Sequence, residues 1–281
     1  MAGRAAGEYE IRLPHPVTGA EVLGVDLDDP LPSALRQRLD RLLSERGVLV
    51  FRDQSLDPRG FARAIATFGA LMPQRAPPFD GLDGPALGYV SGVEVARPAM
   101  AVELYTDHSN RTAPPRATAL YGAQIPRRGG DMRFIHAQAA YDALPEAAKA
   151  LLADARALHA PPGQPLLRLL PSADQQAALP ETVQPLVVRH PATGRAGLFL
   201  DTARMEGIIG LPRRESDAIM ALLMAHATDE RFEYRHHWRA GDVVLWDNRT
   251  VLHRADDDLP EGEQRFLWRV MVEGTPLYQA P

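Results

Sequence analysis

Apolar residues recur at the spacing of one helical face in four segments of the chain. The first segment runs from Ser33 to Arg46, with Ser33 placed to cap the predicted helix and Gly47 placed to end it. The second helix is predicted to start at Asp57 and Pro58, because these residue types are favoured at the N-cap and the first helical position. The inward residues predicted for these two helices are Leu35, Leu39, Leu42, Leu43, Phe61, Ile65 and Phe68.

Two more amphipathic helices are predicted in the second half of the chain. One spans about residues 137–158, where Pro145 starts or kinks its main part, and the other spans about residues 214–227. The inward residues predicted for these helices are Tyr141, Leu144, Leu151, Leu152, Ile219, Leu222 and Leu223.

Short apolar runs between the helices predict β-strands. The runs are "GVLVFRD", "ATALYGAQIP", "PLVVRH", "AGLFLD", "DVVLWDN" and "RFLWRVMVEG". Clusters of Gly, Pro and Asp separate most of them, which is typical of antiparallel pairing and not of regular β-α-β alternation. The pattern therefore predicts an α+β fold with a jelly-roll core, also called a double-stranded β-helix, and flanking helices.

The length suits one domain over residues 1–281, since 281 residues with 45% hydrophobic content can bury one large core. Two segments are predicted as variable loops, at about residues 75–100 and 160–184. Both are long for loops of a compact domain, and long ordered loops often act as lids.

The amino-acid composition limits the kinds of site and partner that the protein can have. Cysteine is absent, which excludes disulfides, zinc-thiolate sites, iron-sulfur clusters and cysteine nucleophiles. The net charge of -5 with interspersed arginines provides no basic stripe for nucleic acid, so a small-molecule partner is predicted. Lys149 is the only lysine, and no phosphate-binding glycine motif occurs. No membrane-spanning or signal-peptide segment is predicted, which favours a cytoplasmic location.

The segment "LYTDHSN", residues 104–110, contains the first candidate site residues. In a strand, Tyr105 and Asp107 would project to the same side. A distant candidate partner is His253 in "WDNRTVLHRA". A carboxylate and an imidazole from two strands, with open coordination positions, make up most of a facial-triad iron site, whose usual third member is a second histidine. In this chain a phenol stands where that histidine is expected.

Several motifs in the same order make the chain similar to a known family. The matching segments are "GAEVLGVDLDDPL", "GVLVFRDQSLDP", "TDHS", "RATALYGAQIPRRGGDM", "AAYDALPEAAKALL", "VVRHPATGRAGLFL", "HHWRAGDVVLWDNRTVLHRA" and "RFLWRVMVEG". From about Gly19 to the C-terminus the chain resembles the taurine dioxygenase and 2,4-dichlorophenoxyacetate dioxygenase (TauD/TfdA-like) family. This resemblance implies a jelly-roll oxygenase that uses Fe(II) and 2-oxoglutarate.

The resemblance implies that Asp107 and His253 are metal ligands and that Tyr105 occupies the position of the first histidine. Three interpretations of Tyr105 stay open: it binds the metal as a phenolate, it points aside and leaves a two-ligand site, or the chain keeps the fold without the metal. A phenolate is a hard anionic ligand that favours Fe(III) or Cu(II), so copper is an alternative to Fe(II).

The resemblance also suggests how anions bind. It matches Arg265 with the arginine that pairs with the distal carboxylate of 2-oxoglutarate, and Arg269 with the arginine near the cosubstrate and the substrate anion. A guanidinium group offers bidentate, charge-assisted hydrogen bonds to such groups. Met132 stands where the family usually has a threonine whose hydroxyl supports the 2-oxoglutarate carboxylate. His108, next to Asp107, is predicted to have a structural or surface role and not to bind the metal.

The function predicted from the sequence is an iron-dependent, 2-oxoglutarate-dependent oxygenase, an oxidoreductase of the dioxygenase type, with an altered Tyr105, Asp107 and His253 site. Its substrate is predicted to be a small anionic molecule, and the resemblance suggests a homodimer or homotetramer. Two alternatives are a protein that binds an anionic ligand without turnover and an oxygenase that uses the altered metal site without 2-oxoglutarate.

Overall fold

The computed structural model describes residues 9–73, 88–92, 104–161 and 181–280. In these ranges the chain forms strands β1 to β16, helices α1 to α5 and one short 3-10 helix. The strands are β1 Glu10–Arg12, β2 Ala20–Leu23, β3 Val48–Phe51, β4 Gly88–Gly92, β5 Ala117–Gln124, β6 Met132–His136, β7 Arg156–His159, β8 Thr182–Pro185, β9 Val187–Arg189, β10 Ala196–Leu198, β11 Met205–Ile208, β12 Glu233–His236, β13 Val243–Asp247, β14 Val251–Ala255, β15 Arg265–Val272 and β16 Tyr278–Gln279. The helices are α1 Ser33–Arg46, α2 Pro58–Ala66, α3 Ala137–Asp142, α4 Glu146–Leu152, α5 Arg213–Ala227 and the 3-10 helix Glu230–Phe232.

Two sheets form the centre of the fold. The major sheet has seven strands in the order β1-β2-β3-β13-β5-β15-β4, and the minor sheet has three in the order β12-β6-β14. Pairing is antiparallel except between β2 and β3. Side chains from both sheets meet in one buried cluster that includes Val50, Phe134, Trp246 and Leu267. The predicted jelly-roll core with flanking helices is confirmed.

Helices cover the outer faces of both sheets. Helices α1 and α2 pack Leu39 and Phe61 against the outer face of the major sheet, while α3 and α5 lie in the cluster that contains Ile135 and Leu252 of the minor sheet. Strands β3 and β13 are therefore buried on both faces, which explains why their sequences are continuous apolar runs. None of the helices in the described ranges has the length and apolarity of a membrane span.

Helix ends follow the sequence signals in part. Helix α1 has the predicted bounds, and Gly47 ends it in the left-handed conformation with a φ of 75°. The predicted Ser33 cap is wrong, because Pro32 is the N-cap and no side chain caps this end. The Asp57 cap of α2 is confirmed by a 2.6 Å hydrogen bond that the backbone N–H of Gly60 donates to Oδ1 of Asp57.

The third predicted helix is only partly correct. It divides at Pro145 into α3 and α4 and ends at Leu152, because residues 156–159 form β7, which pairs with β8 and β11. Two residues predicted to face inward are instead exposed: Leu151 at 84% and Leu222 at 72%. Each lies beside a buried leucine, and the turn of 100° per residue along a helix carries it out of the apolar face.

The two predicted loops are described only in part. Strand β4 lies within residues 75–100 and pairs with β15 at the edge of the major sheet, so that segment is not entirely loop. Strand β8 begins within the second segment. Residues 74–87, 93–103 and 162–180 lie outside the described ranges, as does the predicted role of these segments as lids.

Gly47 gives a stability prediction. A Cβ at this position would overlap Cγ1 of Val251 on the minor sheet, and the φ of 75° disfavours other residue types. Replacing Gly47 with alanine is therefore expected to lower the free energy of unfolding by roughly 2–4 kcal/mol, as measured by urea denaturation. Gly262→Ala is the matched control, because Gly262 has a φ of 79° with nothing within 4 Å of the added Cβ. Equal losses in both variants would contradict the role of the Val251 contact.

Candidate active site

Tyr105 and His253 are held opposite each other by their backbones. The N–H of Tyr105 donates to the carbonyl of His253 at 3.1 Å, and the N–H of His253 donates to the carbonyl of Tyr105 at 3.0 Å. Directly opposed residues of an antiparallel pair project to the same face. The two ring centroids accordingly lie 4.4 Å apart.

Asp107 reaches this pair from a turn and not from a strand. Apart from the bridge at Tyr105, residues 107–110 form turns, and His108 has a φ of 50°. The strand geometry considered for Tyr105 and Asp107 therefore does not extend beyond Tyr105. Oδ2 of Asp107 nevertheless lies 3.7 Å from Nε2 of His253, so the predicted pair of side chains does come together.

A buried chain of hydrogen bonds orients Asp107. Its Oδ2 accepts a hydrogen bond from the hydroxyl of Thr118 at 2.7 Å. Nδ2 of Asn248 donates to that hydroxyl at 3.0 Å, and the indole N–H of Trp246 donates to Oδ1 of Asn248 at 3.1 Å. The "WDN" segment that precedes His253 thus also supports the carboxylate, which the sequence alone did not indicate.

Burial is the largest single influence on the ionisation of these three groups, although at Asp107 the other interactions together outweigh it. It raises the pKa of Tyr105 to about 12, and the neighbouring Asp107 carboxylate adds to the rise. Burial also disfavours the charged form of Asp107, but His253 and the Thr118 hydroxyl outweigh it and hold the pKa of Asp107 below its usual range. Burial lowers the pKa of His253. At neutral pH the site therefore offers a carboxylate, a neutral imidazole and a protonated phenol.

These groups fit a metal ion with two ready ligands. The described residues contain no cluster of three or more His, Cys, Asp or Glu that could hold a metal. Ligands must be deprotonated, as the carboxylate and the neutral imidazole already are. Two atoms bound at about 2.1 Å to one ion can lie up to about 4.2 Å apart. The observed 3.7 Å between Asp107 and His253 meets that limit.

Strand β15 brings two arginines to the same region. Trp268 stacks on Tyr121 at 4.6 Å and lies 6.5 Å from Phe61 of α2, so this side chain faces the helices. Arg265 and Arg269 alternate with it and face the other side of the sheet. The positive charge of Arg269 favours the ionised form of Asp107, and the charge of Arg265 interacts with Tyr105.

Arg265 is buried beside the Gly129-Gly130 turn. Its Nη1 donates to the carbonyl of Gly130, and its Nε has no hydrogen-bond partner within the described residues. A Cβ at Gly130 would lie 3.3 Å from that Nη1, so glycine leaves room for the guanidinium. Met132, two residues further, is buried in the apolar cluster between the two sheets.

A third arginine beside the site was missed by the sequence analysis. Cζ of Arg204 lies 5.6 Å from the ring centroid of Tyr105. Its Nη1 donates to Oδ2 of Asp201 at 3.2 Å, and the hydroxyl of Ser109 donates to the same oxygen at 2.6 Å. The one sequence signal for this group was an aspartate directly after an apolar strand with an arginine three residues later, in "LFLDTAR".

Other histidines have structural partners. Nε2 of His190 lies 3.1 Å from Oδ2 of Asp247, and its Nδ1 accepts hydrogen bonds from the backbone N–H groups of Ala192 and Thr193. Nδ1 of His237 lies 2.7 Å from Oδ2 of Asp131. These contacts organise turns and strand ends.

A jelly-roll core with a carboxylate and an imidazole paired on one inner edge, flanked by arginines, is the arrangement of a class of dioxygenases. The family model for "Taurine catabolism dioxygenase TauD, TfdA family" matches residues 10–271. The chain belongs to this family and is an oxidoreductase of the dioxygenase type. The family uses Fe(II) and 2-oxoglutarate.

Individual relatives agree with this assignment. The chain is 35% identical to the alpha-ketoglutarate-dependent 2,4-dichlorophenoxyacetate dioxygenase of Cupriavidus pinatubonensis, over 86% of this chain and 90% of the relative. It is 30% identical to an alpha-ketoglutarate-dependent sulfate ester dioxygenase of Pseudomonas putida, over 92% of this chain and 89% of the relative. The crystal structure of a taurine dioxygenase from Burkholderia xenovorans superposes with a TM-score of 0.83 and 30% identity, covering 96% of this chain and 91% of that one.

Proposed function

We propose that the protein is a 2-oxoglutarate-dependent oxygenase that acts on a small anionic molecule and binds its metal at an altered site formed by Tyr105, Asp107 and His253. The substrate class is supported by the relatives, which act on a phenoxyacetate and on sulfate esters. The altered site is supported by the residues of this chain.

One observation carries the proposal. Oδ2 of Asp107 and Nε2 of His253 lie 3.7 Å apart, although the two residues are 146 positions apart in sequence, and the Tyr105 ring lies against His253. Such an arrangement requires a buried carboxylate and a buried imidazole to share one location. The Thr118 hydroxyl already supports the Asp107 carboxylate, and a metal ion is a partner that the carboxylate and the imidazole can bind together.

Each residue has a defined part in this function. The bound Fe(II) would supply activation of oxygen, together with 2-oxoglutarate as the reductant. Asp107 and His253 would hold the metal, with Thr118 fixing the carboxylate. Arg265 would receive the distal carboxylate of 2-oxoglutarate, because its buried guanidinium has an unpartnered Nε within the described residues. Arg269 would hold an anionic group of the cosubstrate or the substrate.

Binding of 2-oxoglutarate and succinate release test the proposal. We expect the wild-type protein with Fe(II) to bind 2-oxoglutarate and to form succinate in the presence of oxygen. Arg265→Gln is expected to weaken 2-oxoglutarate binding about 10- to 100-fold, since a hydrogen bond to a charged group contributes about 1.5–3 kcal/mol. The affinity is measured by calorimetry under anaerobic conditions.

Arg213→Gln is the matched control, because Arg213 is exposed on α5 and pairs there with Asp217. It should bind 2-oxoglutarate as the wild type does. A different outcome is that the wild type binds metal without binding 2-oxoglutarate and without forming succinate. In that case the hypothesis of an oxygenase that works without 2-oxoglutarate replaces this proposal. If the wild type binds no metal, the hypothesis of a protein that binds an anionic ligand without turnover replaces this proposal.

A further inference from the structure

We propose that Arg204 is a substrate-binding residue, which holds the oxyanion of the substrate (a carboxylate, sulfonate or sulfate) beside the Tyr105, Asp107 and His253 site. The inference rests on the proposed function for the identity of the reaction, but its binding test does not depend on turnover. It assigns a specificity-determining role to a residue outside the metal-binding and 2-oxoglutarate-binding groups.

The segment that carries Arg204 is tied to the segment that carries Tyr105. The backbone N–H and the hydroxyl of Thr202 both donate to the carbonyl of Leu104 at 2.9 Å. In the opposite direction, the hydroxyl of Thr106 donates to the carbonyl of Leu200 at 3.3 Å. On one segment the bonded residues, Leu104 and Thr106, lie on either side of Tyr105. On the other segment they lie shortly before Arg204 in the sequence. These bonds hold the two segments together, and Cζ of Arg204 lies 5.6 Å from the centroid of the Tyr105 ring.

Asp201 fixes one edge of the Arg204 guanidinium, and the positive charge of Arg204 in turn favours the ionised form of this buried carboxylate. Oδ1 of Asp201 accepts hydrogen bonds from the backbone N–H groups of Ala203 and Arg204 at 2.9 and 3.0 Å. Oδ2 accepts hydrogen bonds from the Ser109 hydroxyl at 2.6 Å and from Nη1 of Arg204 at 3.2 Å. Within the described residues, the other guanidinium nitrogens of Arg204 make no hydrogen bond. That edge remains suited to an oxyanion.

The position of Ser109 is secured from deeper in the protein. Nδ1 of His159 lies 2.9 Å from the Ser109 hydroxyl oxygen. Burial lowers the pKa of His159 to about 3, so this imidazole is neutral and can donate a hydrogen bond to the serine. Asp201, Ser109 and His159 thus form a rigid buried support behind Arg204. A pre-positioned arginine loses little conformational freedom when an anion binds.

Arg204 interacts with the same residues as Arg269. The positive charges of both arginines act on His253 and on Tyr105. The two arginines come from different elements, a loop before β11 and strand β15, and act on one location. An anion beside the Tyr105 ring would interact favourably with both. An arginine that only stabilised its own loop would not need to lie beside the Tyr105 ring, as Arg204 does.

The test measures anion binding to the full-length protein with Fe(II) and 2-oxoglutarate under anaerobic conditions. The probes are 2,4-dichlorophenoxyacetate, hexyl sulfate and hexanesulfonate, with the neutral alcohol 2,4-dichlorophenoxyethanol for comparison. Calorimetry is expected to show that Arg204→Gln weakens the tightest-binding anion at least tenfold, while Arg204→Lys recovers part of that loss. Binding of the neutral alcohol and of 2-oxoglutarate should change by less than twofold.

Arg213→Gln serves again as the control for loss of an arginine and should leave anion binding unchanged. The inference is overturned if Arg204→Gln binds the anions as the wild type does, if it weakens the neutral probe equally, or if the wild type binds none of the three anions. If the wild type releases succinate and Arg204→Gln does not change anion binding, this inference alone is overturned. Arg204-dependent anion binding without metal or succinate release would overturn only the proposed function.

Discussion

Replacing Tyr105 with histidine is expected to tighten Fe(II) binding by at least about tenfold and to increase 2-oxoglutarate-dependent succinate release. Imidazole is a neutral donor suited to iron, whereas the phenol must lose a proton and then favours Fe(III) or Cu(II). The two backbone hydrogen bonds to His253 hold position 105, so the new imidazole would begin from the same Cα. Competition with a chromophoric Fe(II) chelator measures the affinity independently of turnover.

Tyr105→Phe is the companion variant, because it keeps the ring beside His253 and removes only the oxygen. If Tyr105 binds the metal, wild-type protein loaded with Fe(III) or Cu(II) should show visible charge-transfer absorption that Tyr105→Phe lacks. If Tyr105 points aside, the two proteins should have the same metal affinity and no such absorption. Unchanged metal affinity and no succinate release in Tyr105→His would contradict the prediction and favour a chain that keeps the fold without the metal.

Asp107→Asn and His253→Gln are each expected to weaken metal binding by about 100-fold or more. Removing a direct ligand should cost at least as much as the 10- to 100-fold seen for groups that support ligands. Asparagine can still accept the Thr118 hydrogen bond, so the loss reports on the charge of the ligand and not on disruption of the turn. The same chelator competition measures both variants.

His190→Gln is the control for removing a buried histidine, since His190 pairs with Asp247 outside the candidate metal site. It should lower stability but leave metal affinity within about twofold of the wild type. Metal binding that survives in both Asp107→Asn and His253→Gln would show that the ion, if bound, lies elsewhere.

Much of the fold could be predicted from local patterns. Helix α1 and the doubly buried strands β3 and β13 have strong sequence signals, because each apolar position reflects contact with a large core. The prediction of a helix through residue 158 is wrong at its C-terminal end, where the local helical pattern conflicts with long-range strand pairing. Its last residues instead form β7, and pairing with β8 and β11 overrides the helical pattern.

The family resemblance predicted the candidate metal ligands of the site but not all of its residues. The resemblance selected Asp107 and His253, and the structure brings their side chains to within 3.7 Å. Arg204 was missed because nothing local distinguishes it from the many other arginines of this chain. Its significance comes from Asp201 and from backbone bonds to the Tyr105 segment, which connect residues about 100 positions apart.

The bridge between residues 105 and 253 has an evolutionary consequence. Its two hydrogen bonds involve only main-chain atoms, so they form whatever side chain residue 105 carries. A mutation there can exchange one donor chemistry for another while the imidazole across the bridge keeps its place. If residue 105 binds the metal as proposed, variation at this single codon can change the metal preference without changes to the surrounding sheets.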